Sequence, residues 1–111
     1  MKESAWRLRV ENAIAPLLPH GEASVQKVAE TLGVSQRTLA QRLADESVTF
    51  LEVLNELRRG LARQYLCEDG LRIAEVAWLL GYQEISAFSH AVKRWTGETP
   101  TRWRSREAGS K

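Results

Sequence analysis

Arg37, Ala40, Gln41 and Ala44 fall on one side of a helix if Leu39 and Leu43 face inward, because each residue advances about 100°. The same construction, with Phe88 and Val92 inward, groups Ser86, Ser89, His90 and Lys93 on a second helix. Neither set contains a carboxylate, whereas a face chosen for solubility alone mixes Glu with Lys and Arg. Short, hydrogen-bonding and positive side chains suit the DNA major groove. There Arg matches guanine O6 and N7, Gln matches adenine N6 and N7, and small residues permit close approach.

Other chemistry is poorly supplied. His20 and His90 stand 70 positions apart with no Cys or acid at ligand spacing, so no metal site is expected. Cys67 is the only cysteine, which excludes an internal disulfide, and no His accompanies it in the pattern. It reads as a half-buried structural thiol. Paired acids, a nucleophile with its base and a phosphate-cradling loop are all missing from the sequence, so neither a catalytic residue nor a cofactor is assigned.

The two faces require helices, and apolar residues recur at three- and four-residue steps almost throughout. Trp6, Val10, Ile14 and Leu17 stripe a first helix that Pro19 and Gly21 stop. Ser24 is placed to cap a second, carrying Val25, Val28, Ala29 and Leu32 and ended by Gly33; Ser35 is placed to cap the third. After a break near Ser47, one long helix runs through Phe50, Val53, Leu54, Leu57, Leu61 and Tyr65 until Asp69-Gly70. A fifth holds Ile73, Val76, Ala77 and Leu80 and ends at Gly81; a sixth holds Phe88, Val92 and Trp95 and stops at Thr96-Gly97. A short basic segment with Trp103 follows Pro100. No alternating run is long enough for a strand, so the predicted class is all-α. Trp95 is expected in the core and Trp78, off its helix's stripe, at the surface. Arg58, Arg59 and Arg63 are expected to form a solvated face with Glu52 and Glu56.

A phrase repeats. "VAETLGV" (Val28–Val34) and "VAWLLGY" (Val76–Tyr82) share Val-Ala-x-x-Leu-Gly, 48 residues apart. The small Ala allows a neighbouring helix to come close, and the Gly four positions later tolerates a left-handed backbone. The following helix can then leave steeply, as in a helix-turn-helix. Each copy is followed by one of the two polar-faced helices.

Size and charge agree with such a reading. The 111 residues, 43% hydrophobic, suffice for one domain or two very small ones sharing a core. No apolar run approaches the ~18 residues of a membrane span and no secretory pattern opens the chain, so the cytoplasm is the expected compartment. Net charge is +2. It is uneven: residues 1–34 balance four basic against four acidic side chains, whereas residues 83–111 hold six against three. That is an electrostatic footprint for a polyanion.

The sequence resembles the C-terminal DNA-binding region of AraC/XylS-type transcription regulators. The likeness is carried by "VAETLGVSQRTLAQRL", "FLEVLNELRRGLARQYL" and "IAEVAWLLGYQEISAFSHAVKRWTGETPTRW" (Ile73–Trp103). It implies about seven helices in two helix-turn-helix subdomains, near 25–46 and 73–96, joined by a linker helix near 50–67. It also implies double-stranded promoter DNA as partner, with two recognition helices in successive major grooves and a role as activator, with RNA polymerase as a further partner. Base contacts carry over to Arg37, Ala40, Gln41, Ser86, Ser89 and His90, and backbone contacts to Ser35, Arg42, Lys93 and Arg94. Three positions depart from the family: Ser47 stands for a usual Gly, His90 for a common Arg, and Trp103 for a usual Tyr. Such regulators commonly carry an effector-sensing or dimerisation domain ahead of this region, so the chain reads as a single-domain member or an excised fragment. The rival from another class is a helical module that contacts polymerase or a sensor domain and touches DNA little.

Overall fold

A computed structural model describes residues 5–109. Its elements are α1 (Ala5–Ile14), a 3-10 segment (Ala15–His20), α2 (Val25–Leu32), α3 (Gln36–Asp45), α4 (Phe50–Arg63), a π-helical turn (Gln64–Glu68), α5 (Ile73–Leu79), α6 (Ile85–Thr96) and α7 (Pro100–Gly109). The architecture is all-α, as the periodicity predicts, with seven α-helices, as the family resemblance implies, and no strand occurs among the described residues. Two helix-turn-helix units are present, α2–α3 and α5–α6, and α4 runs between them. The chain divides into two compact units, one ending at Leu57 and the other beginning at Arg58, so the division falls inside α4. No helix among the described residues is long and apolar enough to cross a membrane.

In the first unit α1 packs on α2 and α3, and α2 packs on α3. Val10, Ile14, Leu18, Val28, Leu39, Leu43 and Val53 are fully buried there. In the second, α6 packs on α5 and α7, and the π-turn packs on α5 and α7, around Leu66, Val76, Leu80, Phe88 and Val92. Each buried side chain of this size contributes roughly 1.5–3 kcal/mol by leaving water, which is what draws these short helices together.

The caps account for most element boundaries. Ser24 Oγ accepts from Lys27 N–H at 3.1 Å, and Ser35 Oγ accepts from Thr38 N–H at 3.0 Å, as their positions predict. Thr49 and Glu52 form a reciprocal capping box that starts α4: Glu52 N–H donates to Thr49 Oγ1 at 3.1 Å, and Thr49 N–H donates to the Glu52 carboxylate at 2.9 Å. Thr99 accepts from Arg102 N–H at the head of α7, where Pro100 occupies the first helical position.

The repeated phrase is a repeated helix ending. Gly33 N–H donates to Glu30 C=O at 3.1 Å while Val34 N–H donates to Ala29 C=O at 3.0 Å. In the second copy Gly81 N–H donates to Trp78 C=O and Tyr82 N–H to Ala77 C=O, both at 3.0 Å. These are paired Schellman bonds, and they require a left-handed residue, here Gly33 at φ 72° and Gly81 at φ 88°. The same bond pair closes α3, where Ser47 N–H reaches Ala44 C=O and Val48 N–H reaches Leu43 C=O. Ser47 therefore adopts φ 63° and is the one non-glycine residue with positive φ among those described.

Two sequence expectations are corrected. The first helix does not carry its α-period to Leu17. Pro16 and Pro19 have no N–H to donate backwards, so the chain tightens to a 3-10 segment, and Leu18 is fully buried in place of Leu17. The long helix likewise does not bury one stripe throughout. Val53 and Leu54 are buried in the first unit, but Ala62 and Leu66, four residues apart, replace Leu61 and Tyr65 in the second, because a different core lies against this end of the helix.

Three substitutions test this account of the backbone. Ser47→Gly should stabilise by about 0.5–1 kcal/mol, since the left-handed cost of a Cβ exceeds the added chain entropy of glycine. Gly60 lies inside α4 with open space where a Cβ would stand, so Gly60→Ala should stabilise by a similar ~1 kcal/mol. Gly33→Ala also has open space for its Cβ, yet it should destabilise by roughly 1–2 kcal/mol because only the dihedral matters there. Urea midpoints of the three variants, read beside wild type, check all three signs.

Candidate nucleic-acid interface

Helix α3 is held by its apolar side: Leu39 and Leu43 are fully buried. Arg37, Ala40, Gln41 and Ala44 are in consequence exposed on the other side. Ala40 and Ala44 keep that face low, with Arg37 and Gln41 standing above it. The face is less free of acid than the sequence reading holds. Asp45 is exposed at its C-terminal edge, ~40° round the helix from Gln41. Its negative charge lies at the helix end farthest from Arg37.

Arg42 is not on the outer face. It lies about 100° round the helix from Gln41, and its guanidinium stacks over the Trp6 ring, 4.7 Å from the centroid. Ser35 is exposed, and its hydroxyl serves the cap of α3 and also bonds Thr38 Oγ1 at 3.0 Å.

Helix α6 is anchored by Phe88, Ala91 and Val92, all fully buried. Ser86, His90, Lys93 and Arg94 are exposed and Ser89 is half-buried. Glu84, at the N-cap, makes no side-chain cap bond to the backbone; its carboxylate instead accepts from Ser86 Oγ at 3.3 Å. The acid therefore sits beside one of the groups assigned to base reading, which residue-by-residue rotation about α6 does not reveal because Glu84 precedes the helix.

The turn before α6 is braced from α4. Arg58 Nε donates to Leu80 C=O at 3.1 Å, and its guanidinium lies 4.6 Å from the centroid of the Tyr82 ring. Tyr82 in turn packs on Phe88, ring centroids 5.7 Å apart. Burial pushes the Tyr82 hydroxyl above its ordinary range, with Arg58 and Arg94 pulling it partly back. Arg58 thus belongs to the second unit's turn and departs from the expected solvated face, whereas Arg59, Arg63, Glu52 and Glu56 are exposed as expected. Arg63 pairs with Glu68 and with Glu107, at 3.3 Å to the latter, while Glu56 pairs with Arg7 and Glu52 serves the capping box. The i, i+4 rule behind that expectation cannot see partners from another element. The sequence gives no signal for the Arg58 brace, because Leu80 and Tyr82 are more than 20 residues away.

The remaining singled-out residues separate cleanly. Trp103 is 3% exposed and Trp78 is 60% exposed, while Trp95 is half-buried and so only partly in the core. Cys67 is half-buried, and burial raises its thiol above the ordinary range, with the Glu107 charge adding to the effect. A neutral thiol suits packing and not attack. No group of His, Cys, Asp and Glu able to hold a metal ion occurs among the described residues.

Residues 28–106 match the model of a helix-turn-helix domain family. The HTH-type transcriptional regulator VirS of Mycobacterium tuberculosis is 38% identical over 97 residues, which are 87% of this chain and 28% of that protein. The chain thus spans a little over a quarter of that relative's length. Among solved structures, a DNA-binding transcriptional dual regulator from Escherichia coli K-12 superposes with a TM-score of 0.83 at 30% identity, covering 94% of this chain and 93% of that one. The transcriptional regulator CdpR from Pseudomonas aeruginosa is 48% identical with a TM-score of 0.67, over 74% of this chain and 26% of that one. The chain belongs to the AraC-type helix-turn-helix family and is a DNA-binding domain of a bacterial transcription regulator.

Proposed function

We propose that the domain recognises promoter DNA by sequence, with α3 and α6 in successive major grooves and Arg37, Ala40, Gln41, Ser86, Ser89 and His90 at base edges. One observation carries this reading: two helix-turn-helix units of matched construction each turn a small, hydrogen-bonding face to solvent. Arg can take guanine in a bidentate pair and Gln adenine. Lys93, Arg94, Arg42 and Ser35 are assigned to phosphates. Ser35 can give its hydroxyl proton to a phosphate only by releasing Thr38 Oγ1, since its lone pair serves the cap. The 14 residues of α4, about 21 Å of helix, support two binding elements in place of one.

Regulation of transcription by this DNA contact, with activation as its sense, is proposed on the strength of family membership. RNA polymerase is the proposed further partner, and an effector-sensing or dimerisation domain the proposed companion in the whole protein. Trp78 and Ile85, 60% and 49% exposed, are apolar groups that DNA phosphates do not favour, and they support a protein contact on the second unit.

Footprinting on a selected duplex should show two protected elements about one helical turn apart on one face of the DNA. A single element of about five base pairs would refute the two-groove arrangement.

Arg37→Ala should lose about 1–3 kcal/mol of discrimination at one or two base positions. Arg94→Ala should instead weaken every duplex alike and flatten the slope of log K against log salt by about one. Equal loss of discrimination in both variants would show the two roles to be misassigned.

Trp78→Ala should leave duplex affinity unchanged and lower transcription from the bound promoter several-fold. Loss of duplex affinity in this variant, with unchanged thermal stability, would instead put Trp78 at the DNA.

A further inference from the structure

Trp6 receives two guanidinium groups on its ring. Arg9 Cζ lies 5.1 Å and Arg42 Cζ 4.7 Å from the ring centroid. Arg9 comes from the next turn of α1, whereas Arg42 comes from α3, 36 residues along the chain. The indole is 8% exposed and both arginines are exposed, so a fixed buried floor presents two charges at the surface.

Those two charges lie no more than about 10 Å apart, within roughly one Debye length at moderate salt, so they repel in the unbound domain. Acidic partners have gone elsewhere: Arg7, also on α1, is paired with Glu11 and with Glu56. Neither Arg9 nor Arg42 takes part in the ion pairs found among the described residues. The ring's negative face offsets part of the repulsion. It leaves the guanidinium edges free, because a planar cation can stack by its face while its N–H groups point outward in a fork that fits phosphate oxygens.

The geometry points to a phosphate clamp: Arg9 and Arg42, stacked on Trp6, together grip the DNA backbone beside the groove that α3 enters, with Trp6 as the positioning residue. The clamp rests on the reading of α3 as a groove helix. Arg42 follows Gln41 in sequence and sits on the flank of the reading face, where a backbone strand bordering the groove would pass. It brings α1, which is no part of either helix-turn-helix, to the DNA as a further contact.

Arg9→Gln should bind specific and non-specific duplexes alike roughly three- to ten-fold more weakly at ~0.1 M salt, and reduce the salt slope by about 0.9. The same substitution in a Trp6→Leu background should have a much smaller effect, because the cation is no longer held in place. Where Trp6→Leu fails to fold, Arg9→Lys gives the second reading: it keeps the charge, loses the planar stack, and should fall between wild type and Arg9→Gln. Thermal midpoints establish that each variant is folded. Arg9→Gln with wild-type affinity and slope would overturn the clamp, and Arg9→Lys with full wild-type affinity would overturn the role of Trp6. A wild-type domain without salt-dependent duplex binding would overturn the DNA reading itself, which separates that failure from failure of the clamp alone.

Discussion

Each helix-turn-helix depends on the chain passing through one left-handed residue after its first helix. At Gly33 and Gly81 the backbone bends while two amide protons turn back to the carbonyls of the helix just ended. Those bonds satisfy groups that would otherwise be left without partners, and they set where the reading helix begins. A right-handed residue there would continue α2 or α5 and carry Leu39, Leu43, Phe88 and Val92 away from the core they fill. The polar faces of α3 and α6 point outward because those four side chains point inward, so the exposure of Arg37 and His90 is a consequence of backbone handedness some residues earlier. Ser47 makes the same turn at the end of α3 with a side chain that disfavours it, which places a small strain at the exit of the first reading helix.

Helix α4 serves two cores with different groups. Near its start, Val53 and Leu54 are buried in the first unit; further along, Ala62 and the π-turn's Leu66 are buried in the second. Its polar residues follow the same division. Glu56 pairs with Arg7 of α1, whereas Arg58 holds the turn at Leu80 and Tyr82 and Arg63 pairs with Glu68 and Glu107. A solvated helix face could vary freely. This one ties each end to its own unit, and Arg58 links the linker directly to the turn from which α6 departs.

The distribution of charge gives the fold its electrostatic direction. The ion pairs found among the described residues fall on Arg7, Arg63 and Arg106, and none of them on Arg37, Arg42, Lys93 or Arg94. Arg7, Arg63 and Arg106 are matched by acids, whereas Arg37, Arg42, Lys93 and Arg94 on α3 and α6 are not. With a net charge of only +2, attraction to a polyanion must come from this local excess rather than from the whole molecule. Asp45 lies at the C-terminal end of α3, and Glu84, which precedes α6, accepts from Ser86 Oγ.

Sequence alone determined the class of the fold and most of the outward residues of α3 and α6, Ser89 being half-buried. Periodicity is a local property, and the caps at Ser24, Ser35, Gly33 and Gly81 need only residues within one turn to act. For the same reason the repeated phrase marks two helix ends from its residues alone. Tertiary structure alone decided what depends on residues distant in the chain. The partners of Arg42, Arg58 and Arg63 came from other elements, and the core of the second unit decided that Ala62 and Leu66 are buried where the stripe had pointed to Leu61 and Tyr65. A guanidinium on a long flexible stem can reach a ring, a carbonyl or an acid in several directions, and only the packing of helices settles which is nearest.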